Sequence, residues 1–345
     1  MPKENEWETA RQWGEKYGPL VFVKNLGEPF LFLNSYEAIV DLFEKRGNIY
    51  SSRPRNTMLE LEGFTEWFVA IFPYGDELRK ARQLLHRHLQ INVVPEYQGI
   101  QESSIHRLLN RILESPDKFI RHIKQTAGES ILMVAYGYKA AEEHDPYVAI
   151  VEKGMNAFIH AEGFFLVNLL PWLQYLPSWF PGAGFINVAK EGHKNGMDMY
   201  LRPYELAKRL IDEGNATPSI SSKLLDSHRT DSGEIIDEAL LAKVSGIIYG
   251  AGEDTTSSSL ATFILAMVLY PEVLKRGQEE VERVVGKNTL PTFSDRANLP
   301  YVEAIRKECL RWQVVAPLAV AHTLTEDDEY NGYFIPAGTT VFSNL

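Results

Sequence analysis

Apolar positions recur along this chain at two periods, and the change of period marks its architecture. Near the start, LVFVKN and PFLFLN are short runs of β-type residues around Leu26, Gly27 and Glu28, the pattern of a hairpin. Asn34 with Glu37 three residues later has the form of a capping box, and the helix it opens ends at Gly47. From there to about residue 325 the spacing is mostly helical. PEVLKRGQEEVERVVG starts on Pro271, carries apolar Val273, Leu274, Val281, Val284 and Val285, and stops on Gly286. PYVEAIRKECLRWQ starts on Pro300 and runs to the neighbourhood of Pro317. The closing DDEYNGYFIPAGTTVFSNL returns to strand chemistry, with turns at Asn331-Gly332 and Pro336-Ala337-Gly338. The pattern predicts a mainly α protein with a small β-sheet, an α+β fold whose sheet is built from both ends of the chain. No repeat or low-complexity linker interrupts it, so residues 1–345 read as a single domain.

One helical stretch contradicts itself. Leu240, Leu241, Val244, Ile247 and Ile248 form one stripe at about 100° per residue, and Leu260, Phe263, Ile264, Met267 and Val268 lie nearly opposite. Between them stands GAGEDTTSSS, where two glycines and six Asp, Thr or Ser residues weaken a helix by roughly 5 kcal/mol relative to alanine. That rivals the net stability of a small domain, about 5 to 15 kcal/mol. Two readings stay open. The helix breaks at Gly250-Ala251-Gly252 and restarts on a cap at Asp254 or Thr255, or it runs through, opened locally, and presents an acid and an alcohol to a buried ligand. On the helical wheel Ala251 and Thr255 continue the first stripe, Asp254 stands at its edge, and Gly252 falls to the other side.

Composition narrows the partners. A net charge of -11 with no block of Lys or Arg argues against nucleic acid. The single cysteine, Cys309, excludes an intrachain disulfide and a four-thiolate zinc site, and it lies in the apolar stripe of Tyr301, Val302, Ile305 and Trp312 as a packed hydrophobe. The nine histidines show no metal-ligand spacing, so no metal-ligating residue is assigned. The polar amino terminus lacks a signal-peptide core, and the longest apolar run, LATFILAMVLY, is short of the roughly 20 residues that span a bilayer. These features predict a soluble, cytosolic or peripherally bound chain. FFLVNLLPWLQYLPSWFPGAGF, residues 164–185, cannot be one helix because of Pro171, Pro177 and Pro181. It reads either as a buried irregular connection or as an exposed apolar lip touching a membrane or ligand. Arg79, Lys80, Arg82 and Arg87 stand on a helix over residues 73–89, by default a solvated basic face, and Glu308 and Arg311 are spaced to meet along one edge of theirs.

AGEDTT at 251–256 together with ECLR at 308–311 resembles the cytochrome P-450 family, the haem-thiolate monooxygenases, in order and spacing. LPYVEAIRKECLRW and the strand residues behind it, and PWLQYLPSWFPGAGF as in fungal members, extend the likeness over essentially the whole chain. The resemblance implies haem-dependent insertion of one oxygen atom from O2 into a small apolar substrate, with electrons from an NADPH-cytochrome reductase at the cytosolic face of the endoplasmic reticulum membrane. It places Ala251, Gly252 and Thr255 against the oxygen-binding face of the haem, with Gly252 allowing close backbone approach. Thr255 then hydrogen-bonds bound oxygen, and Asp254 relays protons. Arg82 and His322 reach the haem propionates, Glu308 and Arg311 form a buried bracing pair, and residues 164–185 face the membrane as a substrate entrance. Three departures stand out. Leu78 occupies the place of a common tryptophan, no membrane anchor or proline-rich hinge precedes the domain, and the chain ends at Leu345 before the family's F-x-x-G-x-R-x-C-x-G loop. The axial thiolate is therefore absent, and the expectation is a polypeptide inactive by itself. The rival reading is a non-catalytic helical module holding an apolar ligand.

Overall fold

Leu26 and Gly27 both take left-handed backbone, with φ of 52° and 97°, and close strand β1 (Leu20–Asn25) onto β2 (Glu28–Leu33). Positive φ at both central residues matches the right-handed twist of a hairpin, so Glu28 belongs to the strand and not to the turn. The computed structural model describes residues 5–345 apart from Glu143 and Phe164, and not the side chains of Glu162 and Phe165. At the other end lie β3 (His322–Thr323), β4 (Asp328–Tyr330), β5 (Tyr333–Ile335) and β6 (Thr340–Ser343). β6 pairs parallel with β2, Leu31 opposite Val341, and antiparallel with β3. The sheet order β1-β2-β6-β3 thus joins the two chain ends, as the residue pattern predicts. β4 and β5 form a separate hairpin whose turn residues, Asn331 and Gly332, again have positive φ.

Alternation sorts the strand residues by face. Leu31 and Leu33 pack with Leu42, Tyr50, Leu324 and Val341. Phe32 turns the other way, onto Ala10 of helix α1 (Glu6–Tyr17), and stacks on Phe342 at 5.3 Å. The cap expected at Asn34 lies one residue later. Ser35 is extended and its Oγ accepts from Ala38 N, while Asn34 Oδ1 accepts from Asn344 Nδ2. Gly47 does not end that helical segment either: a further turn runs Gly47–Tyr50.

The body is helical: α2 (Asp76–Leu89), α3 (Gln98–Glu114), α4 (Phe119–Tyr136), α5 (Pro146–His160), α6 (Phe185–Asp212), α7 (Glu238–Leu269), α8 (Pro271–Val284) and α9 (Pro300–Trp312). α7 runs unbroken through GAGEDTTSSS, and of the two readings only the through-going helix survives, without a local opening. Its first half is enclosed on every side. Leu241, Val244, Ile247, Ile248 and Tyr249 are all buried, and Gly246 lets Trp67 stack on Tyr200 at 5.0 Å beside it. Each large apolar side chain so buried contributes about 1.5 to 3 kcal/mol, enough together to offset the weak propensity of the polar middle. In the second half Ala266 and Met267 pack on Ile305 and Cys309 of α9, whereas Phe263 and Val268 stay exposed.

Residues 164–185 split between their two readings. Val167, Ala183 and Phe185 turn inward and are buried, while Trp172, Tyr175 and Trp179 stand 60%, 83% and 80% exposed. The prolines break the segment into short pieces, Phe165–Leu169 and Pro171–Tyr175 among them, and the aromatic rings of the second piece point outward.

α4 stops at Gly137, whose φ of 68° suits glycine, and a Cβ there would strike the carbonyl oxygen of Thr217. Gly137→Ala should lower stability by about 2 kcal/mol, the left-handed penalty of roughly 1 to 2 kcal/mol plus the clash. Urea unfolding checks this, and an unchanged midpoint contradicts the packing of this corner.

Candidate functional site

A cationic cluster forms where the two ends of the chain meet. Thr323 N donates to Ser52 O at 2.8 Å and Thr325 N to Ile49 O at 2.9 Å, so the backbone of residues 49–52 docks along that of residues 323–325. The docking sets Arg53 beside His322. The Arg53 guanidinium donates to the carbonyls of Val320 at 2.7 Å and Ala321 at 2.9 Å. His322 stacks on Phe43 at 4.4 Å, and its Nδ1 lies 2.7 Å from Tyr50 O. A carbonyl only accepts, so Nδ1 carries the proton and Nε2 is left with its lone pair. Below, the cluster is braced by Arg46 and the Tyr50 hydroxyl, both donating to Asp328.

Arg82, on the exposed side of α2, lies close enough to bear on both groups. Burial, then the charges of Arg53 and Arg82, hold His322 down at about 4. Burial and Arg82 likewise pull Arg53 to about 10. Among the described residues neither arginine has a carboxylate partner. Three basic groups thus gather with no ion-paired acid among the described residues, an arrangement whose charge suits an anion. Arg82 and His322 were expected there; Arg53 was not. No local spacing marks it, because its place depends on backbone pairing with residues more than 260 positions away.

The acid and alcohol lie on α7. Ala251 and Thr255, one turn apart, share an exposed strip, with Asp254 half-buried at its edge. Thr255 Oγ1 donates to Ala251 O at 2.7 Å and keeps its lone pairs for an incoming donor. Ser257 and Ser259 also bond backward, to Asp254 O at 3.1 Å and Thr255 O at 2.8 Å. The hydroxyls therefore satisfy themselves on their own helix. Gly252 corrects its expected role: a Cβ there would lie 2.7 Å from Ile131 of α4. The close approach it allows is between two helices.

Glu308 and Arg311 do meet, Nε to Oε2 at 2.8 Å, yet their side chains are 59% and 70% exposed, which corrects the expected buried brace. α9 buries Ile305 and Cys309 against α7 and α8, and Glu308 and Arg311 stand on its exposed side, Glu308 at the rim of that seam. Leu78 is buried in the main core, and Arg79 faces solvent with Asp76. Cys309, 8% exposed in the apolar seam, has its thiol raised by burial. It is unsuited to hold a metal at the cationic cluster, and no group of three or more potential metal ligands occurs among the described residues. No hydrogen bond or ion pair among the described residues links the Asp254–Thr255 strip to the cationic cluster.

His322 yields a pH test. Between its folded value near 4 and the ordinary imidazole value near 6.5, the unfolded chain binds a proton that the folded chain refuses. Stability therefore rises with pH across that window and falls as the solution is acidified through it. His322→Gln should flatten this slope in urea unfolding between pH 4.5 and 7, and imidazole NMR should show His322 neutral at pH 5.5. Ordinary titration near 6.5 contradicts the placement.

Comparison with known proteins then gives the likeness a family. The cytochrome P-450 family profile matches residues 2–345. The cytochrome P-450 monooxygenase COX2 of Coprinopsis cinerea is 40% identical over 351 residues, covering 100% of this chain and 66% of its own length. Relatives of the same description from Armillaria gallica, at 39% identity with 97% and 67% covered, and from Postia placenta, at 38% with 100% and 67%, agree. The chain spans about two thirds of the length of these curated relatives. With the cationic cluster and the acid–alcohol helix in place, these matches establish that the chain belongs to the cytochrome P-450 family.

Proposed function

We propose that this chain forms most of a haem-dependent monooxygenase that inserts oxygen from O2 into a small apolar molecule. One observation carries the reading: Arg53, Arg82 and His322 gather without a counter-charge, in a chain of this family. The haem, when bound, supplies the activation of O2 that no side chain can. The protein's part is binding and proton handling. Arg53 and Arg82 would hold the two propionates, and His322 would take up a proton at Nε2 and donate to one of them. The exposed strip at Ala251 would face the ring, Thr255 would orient a proton donor with its free lone pairs, and Asp254 would supply the proton.

The relatives are named monooxygenases, and electron supply from an NADPH-dependent reductase is part of the same proposal. The outward rings of Trp172, Tyr175 and Trp179 support contact with a membrane surface at the endoplasmic reticulum, where aromatic side chains favour the interfacial layer. No single described helix is long and apolar enough to cross a membrane. Since Cys309 lies in the α7–α9 seam, these 345 residues offer no thiolate to an iron at the cationic cluster. On that ground the isolated polypeptide is proposed to bind haem without the electron donation that favours O–O cleavage.

Two measurements test this. Hemin titration of the purified chain should give a Soret shift, weakened about tenfold or more by Arg53→Gln, since a charge-assisted hydrogen bond contributes roughly 1.5 to 3 kcal/mol. Equal affinity in the variant sinks the receptor. The reduced carbon monoxide difference spectrum should lack a thiolate-type Soret band, and its appearance would overturn the claim that no thiolate is placed.

A further inference from the structure

Glu253 is the one member of the AGEDTT stretch that faces inward. It lies one turn beyond Tyr249 on α7, is 3% exposed, and is enclosed where α7 packs on α4 and α5. Tyr249, wholly buried, donates its hydroxyl to Tyr147 O on α5 and meets Tyr136 of α4 edge-on at 5.7 Å. Beside it, Gly252 brings the α7 backbone onto Ile131. The charged groups facing Glu253 are few. Asp254 on its own helix bears on it most, followed by Lys124 of α4 and Glu152 of α5. The last two pair with each other at 3.8 Å and are 47% and 57% exposed, so they mark the solvent end of this interface. Among the described residues no arginine or lysine forms an ion pair with Glu253 itself. An ionised Glu253 would be a buried charge beside a second carboxylate, without compensation.

We propose that Glu253 is a proton store behind Asp254: a neutral carboxylic acid that donates its O–H to the Asp254 carboxylate and refills it from solvent at the Lys124–Glu152 end. The proposal rests on the reading that α7 presents Asp254 and Thr255 to the oxygen side of a bound haem. When a proton is drawn off beyond Thr255, the proton on Glu253 Oε passes to Asp254 Oδ and Asp254 releases it toward Thr255, ending as the carboxylate it began as. The Glu253 carboxylate so formed is restored by a proton from water. One solvent proton moves inward, only O–H bonds form and break, and no electrons are exchanged. Burial first, and then the Asp254 charge, push Glu253 up to about 8, so it holds its proton at neutral pH. The other buried carboxyl with a raised value, Glu62 at about 7, lies against Gly192 with no carboxylate beside it. It serves as the control.

Infrared spectroscopy of the purified chain, with no haem added, reads the proton directly. A protonated carboxyl band that titrates near pH 8 should be present at pH 7, be lost in Glu253→Gln, and persist in Glu62→Gln, which removes only a component titrating near pH 7. Asp254→Asn should move its midpoint to lower pH, because removing the neighbouring charge eases ionisation of Glu253. A band unchanged by Glu253→Gln, or a midpoint indifferent to Asp254→Asn, overturns the proposal. In the haem-loaded, full-length enzyme, Glu253→Gln should lower turnover about tenfold and remove the alkaline limb of the pH profile, with partial rescue by Glu253→Asp. Unchanged turnover and pH profile there also overturn it. Failure of the chain to take up haem would defeat the monooxygenase reading and leave the infrared result standing, so the two fail separately.

Discussion

The burial of the first half of α7 is the interaction on which the rest depends. A glycine-, acid- and hydroxyl-rich middle does not hold a helix by propensity, yet α7 is continuous because Leu241, Val244, Ile247, Ile248 and Tyr249 anchor it among helices on all sides. The polar residues are then carried past the core in fixed rotation. Thr255 and Ala251 come to the open strip, Gly252 to the contact with α4, and Glu253 to the buried seam. A single rod thereby sorts four neighbouring residues into three surroundings.

The second constraint is electrostatic. Arg53, Arg82 and His322 raise one another's free energy when charged, and the docking of residues 49–52 on 323–325 holds Arg53 and His322 together regardless. The arrangement is unfavourable in isolation; in the proposed receptor role it would strengthen the attraction for an anion that meets all three. Arg46 and the Tyr50 hydroxyl, both bonded to Asp328, fix the segment that carries Arg53.

Much of this was legible in the sequence wherever short-range rules govern. The hairpin at Leu26-Gly27, the turn at Asn331-Gly332, the helices opened by Pro271 and Pro300 and the two-ended sheet follow from period and turn chemistry. Local signals competed at the Asn34 and Ser35 cap, where two good capping residues are adjacent and a contact with Asn344 took the first. Long-range placement was out of reach. Arg53 looks like any exposed arginine until residues 52 and 323 are paired, and Glu308–Arg311 looks like an edge that could be covered until the packing of α9 shows otherwise. Glu253 was hidden for a different reason: no local spacing marks it, and only the packing of α4 and α5 onto that side of α7 buries it.

The central claim is that α7 and the cationic cluster bound one site for a flat, doubly anionic ring. A crystal structure of the chain with metal-free protoporphyrin tests it without involving the iron or its ligand. The account predicts both carboxylates within hydrogen-bond distance of Arg53, Arg82 or His322 and the ring against Ala251 and Thr255, with α7 intact. A porphyrin bound elsewhere, or an α7 broken at Gly250–Gly252, would contradict it.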